Sequence, residues 1–138
     1  GDQIRALPAV QWDLAVANTY YYGRMLKSEG EEKAAAEQVA LFWPTQQGRG
    51  AHINVSGAGV TQSAKNKAAA IKLLEFLVSE PAQQWYAEVN NEFPVVEGVQ
   101  LDPIVAAWGS FKADDVDLST LGSNNQQAVK IMDRAGWR

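Results

Sequence analysis

"DLAVANTYYYGR", Asp13 to Arg24, sets an apolar run against a polar pair and then three consecutive tyrosines. The run from Trp12 to Asn18 is short, apolar and polar-ended, the pattern of a buried strand feeding a turn, although periodicity alone also admits a helix. Strand is the reading taken. Asn18 and Thr19 then stand as N-cap residues for a helix through Tyr20 to about Ser28, because their side-chain oxygens accept an otherwise orphaned backbone N–H. The tyrosines fall at a strand-to-helix junction.

Working outward, "SEGEEKAAAEQ" holds a turn at Gly30 and a short alanine-rich helix, and "VALFWP" (Val39 to Pro44) reads as a second strand stopped by proline. "TQQGRG" is loop chemistry. "HINVSGAGVT" (His52 to Thr61) is β-branched and then glycine-broken, which predicts a strand with a bend or close backbone contact at Gly57 and Gly59. From about Asn66 to Val78, Ala70, Leu73, Leu74 and Leu77 share one helical face while Lys65, Lys67, Lys72 and Glu75 mark the wet one. Ser79 caps a next helix with Pro81 in its first turn, running to about Val89. A short apolar helical stretch follows at Ile104 to Trp108. The last helix starts near Ser123 or Asn124, buries Ala128, Ile131, Met132 and Ala135, and ends at Gly136. Strands alternating with helices predict an α/β layer fold with parallel pairing.

The totals narrow the function classes. A chain of 138 residues suits one modest domain or part of a larger one. Its composition is globular, and no stretch approaches the ~20 apolar residues that a spanning helix needs. A net charge of −4 argues against nucleic acid or an anionic membrane surface as partner. Without cysteine there is no disulfide, thiolate metal site or cysteine nucleophile, and the compartment stays open on that ground. The chain begins at Gly1 rather than an initiator Met, so it reads as a processed product or a part of a longer one.

Three tyrosines stand, on the plainer reading, as core or surface aromatics supplying buried area. The sharper reading is metal ligation. A phenolate is a hard anionic oxygen donor suited to a hard cation such as Fe³⁺. The ordinary phenol pKa of about 10 means that the metal must displace a proton, so binding should weaken as pH falls. Adjacent side chains on a regular helix diverge by roughly 100°. An irregular junction is therefore expected where two successive phenols converge on one ion.

The remaining motifs are weak. His52, the one histidine, excludes histidine-cluster sites from this chain and reads as structural. "SGAG" matches no nucleotide-binding fingerprint, and "ADDVD" (Ala113 to Asp117) lacks calcium-loop spacing and reads as a solvated turn. No nucleophile, base and orienting group can be assembled, so an enzymatic role is not expected.

Seven ordered blocks together resemble the periplasmic ferric iron-binding subunits of bacterial ABC importers, within the type 2 periplasmic binding proteins: "DLAVANTYYYGR", "GRGAHINVSGAGVT", "AKNKAAAIKLLEFLVSEPAQQWYAE", "FPV", "WGSFKAD", "LG" with "NNQQAV", and "IMDRAGW". The resemblance is to the C-terminal half of such proteins. It implies two phenolates to Fe³⁺ from Tyr20 and Tyr21, a wall or rim position for Tyr22, and a role for Asn18 near a synergistic anion such as carbonate or phosphate. Pro8 and Trp12 depart from the alanine-rich helix that usually precedes the strand. The implied fold has two α/β lobes joined by crossing strands. Residues 1–50 would form a ligand-bearing segment of one lobe, 51–61 a crossing or hinge strand, 62–101 a helical segment packing on the other lobe, and 102–138 a C-terminal return.

By the same resemblance the other ligands lie in a missing N-terminal half, the partner is an inner-membrane ABC permease, and the location is the periplasm or a lipid-anchored position outside the cytoplasmic membrane. An isolated half is expected to expose apolar surface and to self-associate, exchange elements or be marginally stable. Two alternatives stay open. One is a solute-binding module for a small organic anion or polyamine, with the tyrosines stacking or hydrogen-bonding to it; the other is a fragment that binds nothing.

Overall fold

Where strands were expected, the chain runs extended without a partner. The computed structural model describes residues 1–137, so Arg138, the last residue of the expected return segment, lies outside the described residues. Its regular elements there are helices: α1 (Asp2–Ala6), α2 (Thr19–Lys27), α3 (Gly30–Ala36), α4 (Lys67–Leu77), α5 (Glu80–Asn90), α6 (Pro103–Ala106) and α7 (Leu118–Arg134). The β pairing among the described residues is a single parallel bridge between Ala51 and Ala113.

The three expected strands, at 12–18, 39–44 and 52–61, are therefore corrected to irregular, largely extended segments. The physical reason is that a strand is stabilised by its neighbours' N–H and C=O groups and by a covered face. Leu14 and Val16 lie 85% and 86% exposed, so neither requirement is met by this chain. Gly57 and Gly59 were expected at a bend or a close backbone contact, and the contact is not made, since a Cβ at either would meet nothing within 4 Å.

Two compact units divide the chain, one of Gly1–Phe42 with Asn54–Ser110, the other of Trp43–Ile53 with the chain from Phe111 onward. In the first, Met25 on α2 is packed with Ile4 of α1 and Ala36 of α3. Met25 is 2% exposed, and burying a side chain of that size contributes about 1.5–3 kcal/mol. Tyr21, Tyr22, Leu26, Ala35 and Val39 extend the cluster.

The opposite flank of α2 meets α5 and α6. Gly23 lies so near Asn91 that a Cβ at position 23 would sit 2.6 Å from the Asn91 Cβ. Asn91 is the C-cap of α5 in a left-handed conformation and is buried. Its Oδ1 has no hydrogen-bond donor among the described residues, a cost of about 1–3 kcal/mol located where the two helices touch.

One turn further, Lys27 Nζ donates to the Glu88 carbonyl and to Asp102 Oδ2, the latter at 2.8 Å. Asp102 also accepts from the Ile104 N–H as the N-cap of α6. Burial pushes its carboxyl up, but the Lys27 hydrogen bond and the α6 amides together hold it below the usual carboxylate range. Buried Gln83 on α5 donates to the Leu77 carbonyl and accepts from the Val95 N–H, tying the end of α4 to the chain after α5. Ser79 occupies the N-cap position of α5 as expected, but its hydroxyl donates back to the Phe76 carbonyl instead of capping.

The second unit is built on backbone and side-chain pairing. Ala51 donates to the Lys112 carbonyl and accepts from the Asp114 N–H. Gln46 brackets Lys112 on the other side, accepting from its N–H and donating to its carbonyl. Gly50, at φ 100°, allows the approach, since a Cβ there would lie 2.6 Å from the Ala113 carbonyl carbon. Trp43 stacks on Phe111 with centroids 4.1 Å apart.

The acidic run is solvated as expected at Asp115 and Asp117 and corrected at Asp114. Asp114 is buried against Arg49 at 2.5 Å rather than solvated, and that hydrogen bond holds its carboxyl below the usual range. Asp117 accepts from the Ser119 N–H and caps α7. This cap starts α7 at Leu118, ahead of the expected Ser123 or Asn124. Gly136 takes the positive φ expected after the helix. The face of Ala128, Ile131, Met132 and Ala135 is exposed here rather than buried.

Helix propensity and steric contact oppose each other at position 23. Gly→Ala in a helix interior favours the helix by up to about 1 kcal/mol, whereas overpacking costs about 1–3 kcal/mol. Gly23→Ala should therefore lower stability to urea, while Gly122→Ala in α7, where a Cβ meets nothing within 4 Å, should raise helicity and leave stability equal or higher. Parallel urea titrations followed by circular dichroism check this, and the same sign of change at both positions would contradict it.

Candidate metal-binding site

The site begins with the backbone turn that starts α2. Asn18 is extended at φ −73° and ψ 139°, and its carbonyl accepts from the Tyr21 N–H. It stands at the expected N-cap position, but its side chain makes no cap hydrogen bond. The amide is used otherwise. Its Nδ2 donates to the Tyr20 hydroxyl oxygen at 3.2 Å.

Tyr20 and Tyr21 fall in the first turn of α2, and their rings are 4.4 Å apart between centroids, tilted by 45°. Both lie on regular helix rather than at the irregular junction expected, with successive positions roughly 100° apart. Tyr21 rests against the Ile4, Met25 and Ala36 cluster at its base, and the Arg24 guanidinium lies 5.6 Å over its ring. That position, three residues along the helix, is where a cation–aromatic pair forms.

The Tyr20 phenol is pushed above its ordinary value, first by hydrogen bonding to Tyr21, then by desolvation and the Tyr21 charge. Asn18 acts in the opposite sense, and the Glu92 carboxylate adds to the rise. At neutral pH Tyr20 is thus protonated.

Tyr22 serves a different neighbourhood. Its hydroxyl donates to the Val39 carbonyl at 2.9 Å, and its ring stacks on Trp108 at 5.9 Å. Burial pushes its phenol up. It lines a groove of about 400 Å³ with Leu26, Val39, Leu41, Ile104 and Trp108. The structure so brings Asn18, Tyr20 and Tyr21 together and sets Tyr22 into apolar packing. Among the described residues, no group of three or more His, Cys, Asp or Glu could hold a metal ion. His52 is exposed.

Arg24, Glu92 and Asn54 were not singled out from the sequence. Arg24 was legible, three residues after Tyr21. Glu92 and Asn54 reach the site only through folding, and Asn54 Nδ2 donates to Asn18 Oδ1 at 3.4 Å across a separation of 36 residues.

Residues 2–113 match a family model described as bacterial extracellular solute-binding protein. The chain is 51% identical to iron uptake protein A1 of Synechocystis sp. over 99% of its own length and 38% of that protein. It is 28% identical to the major ferric iron-binding protein of Neisseria meningitidis serogroup A, over 98% of this chain and 40% of that one. A solved structure of Trichodesmium FutA (IdiA), in complex with iron and citrate ligands, superposes at a TM-score of 0.94 with 46% identity, covering 99% of this chain and 44% of that one. Apo FutA2 from Synechocystis PCC6803 superposes at 0.91 with 45% identity over the same shares. The chain spans about two fifths of the length of these curated relatives, at 38% and 40%.

The Tyr22 hydroxyl satisfies a carbonyl in a half-buried place, so Tyr22→Phe should destabilise the chain by about 0.5–1.5 kcal/mol. Thermal unfolding checks the sign. A Phe variant as stable as the parent would mean that the Val39 carbonyl finds water instead.

Proposed function

The chain belongs to the bacterial extracellular solute-binding protein family, and from that premise we propose that it supplies Tyr20 and Tyr21 as phenolate ligands to ferric iron. The observation carrying this reading is the pairing of two adjacent phenol rings at 4.4 Å with an amide donor on the Tyr20 oxygen. Two hard anionic oxygens beside each other suit a hard trivalent cation. The names of the relatives, iron uptake and ferric iron-binding proteins, point the same way.

In this reading iron is cargo, and the chain catalyses no reaction. Asn18 supports the site from its edge, either by holding the Tyr20 oxygen or by meeting a synergistic anion such as carbonate or phosphate. Tyr22 belongs to the wall. The coordination shell is completed by donors beyond these 138 residues, in the portion of the relatives that this chain does not span. Leu14, Val16 and the exposed α7 face offer apolar surface for that portion to cover.

The same reading assigns the complete protein a two-lobed α/β fold of the type 2 periplasmic binding class, with 51–61 as a crossing segment. It places the protein in the periplasm, or lipid-anchored outside the cytoplasmic membrane, delivering iron to an inner-membrane ABC permease.

Titrating the chain with ferric citrate and recording the visible tyrosinate-to-iron absorption tests the ligand assignment. A band should rise with the parent chain, persist in Tyr22→Phe, and be absent from the Tyr20→Phe/Tyr21→Phe variant. A band that survives in the double variant would refute the assignment. Citrate bound without colour would favour an organic-anion module instead.

A further inference from the structure

We infer that Asn91 is a positioning residue for the Tyr20 and Tyr21 pair, acting through Gly23; the ferric reading above supplies only what the pair is positioned for. Asn91 ends α5 with its backbone left-handed at φ 57°, and it is 1% exposed. Its Oδ1 meets no hydrogen-bond donor among the described residues. Glycine is the residue most at ease in that backbone region and would leave no polar atom unpaired. Asparagine at 91 thus carries two costs that glycine would avoid, and its side chain is accounted for by what it touches.

It touches the bare backbone of α2. A Cβ at position 23 would lie 2.6 Å from the Asn91 Cβ and 2.8 Å from its Cγ, with the Trp108 ring edge 3.2 Å away. The Asn91 side chain fills the notch that Gly23 leaves, so α2 cannot roll toward α5 without meeting it. Gly23 stands three residues after Tyr20, which puts the two on one helix face within a turn of each other.

The other flank of α2 is supported by Tyr21, whose ring packs on the Ile4, Met25 and Ala36 cluster. A roll of α2 would carry Tyr21 off that cluster and turn both rings together. Asn91 resists the roll on one side and the cluster on the other, while Lys27 fastens the far end of the helix to Asp102. A cation held by both phenols binds best when their direction is fixed beforehand, because side chains ordered only on binding weaken affinity.

The test exchanges what fills the notch. Asn91→Gly empties it and still accepts the left-handed turn, Gly23→Ala overfills it, and the double variant places a methyl group there from the α2 side. In the metal-free chain each single variant should weaken the NMR cross-relaxation between the Tyr21 ring and the methyl groups of the cluster, and the double variant should return it toward the parent. Ferric citrate titrations followed by the tyrosinate band should weaken by about two- to tenfold in each single variant, the size of ordering one side chain, and by less than either in the double variant. A packing role alone would lower the urea midpoint and leave the ring contacts and the ferric titration of the folded chain unmoved. Unmoved Tyr21 contacts in Asn91→Gly, or losses that add in the double variant, would overturn the inference. A parent chain with no ferric band would defeat the ferric reading alone, and the metal-free contacts would still decide the role of Asn91.

Discussion

The close approach of α2 to α5 at Gly23 is the constraint on which the rest of the first unit depends. Because Gly23 has no side chain, Asn91 can occupy the space beside it, and α2 is held at one rotation about its own axis. That rotation sends Met25 toward Ile4 and Ala36, Lys27 toward Glu88 and Asp102, and Tyr22 toward Trp108. Tyr20 and Tyr21, at the free N-terminal end, are left beside Asn18 and Arg24. Three consecutive tyrosines thus acquire two environments from one helix rotation.

Apolar residues outside these contacts remain uncovered. Leu14 and Val16 alternate along an extended segment with no neighbour, and the apolar face of α7 is open to solvent. The relatives, more than twice as long, contain further chain that this one does not span. The apolar, polar-ended run at 12–18 is a strand signal. What it lacks here is the pairing that turns extended backbone into sheet.

Legibility followed the range of the interaction. Helices α2, α4 and α5 were readable to within a residue or two because their face spacing and start signals are local. The start of α7 was misplaced because Gly122 suggests a break, whereas Asp117, hidden in an acidic run, caps the helix earlier. The Tyr20 and Tyr21 pair was legible as a candidate from adjacency and resemblance. The Asn18 amide looked like a helix cap and instead faces the Tyr20 oxygen. Asn54 carries no local signal for this contact, since its partner is 36 residues away. Arg49 with Asp114 is the same case in the second unit, a long-range ion pair that composition counts but cannot join.

The central claim is that adjacent phenols at the start of α2 converge on one trivalent cation. Resonance Raman spectroscopy of the ferric complex, on a chain whose other tyrosines, Tyr22 and Tyr86, are replaced by phenylalanine, addresses it most directly. The account predicts that the tyrosinate ring modes remain at the parent intensity per iron. Their loss from that chain would contradict it, because the ligands would then be Tyr22 or Tyr86 and not the pair at Tyr20 and Tyr21.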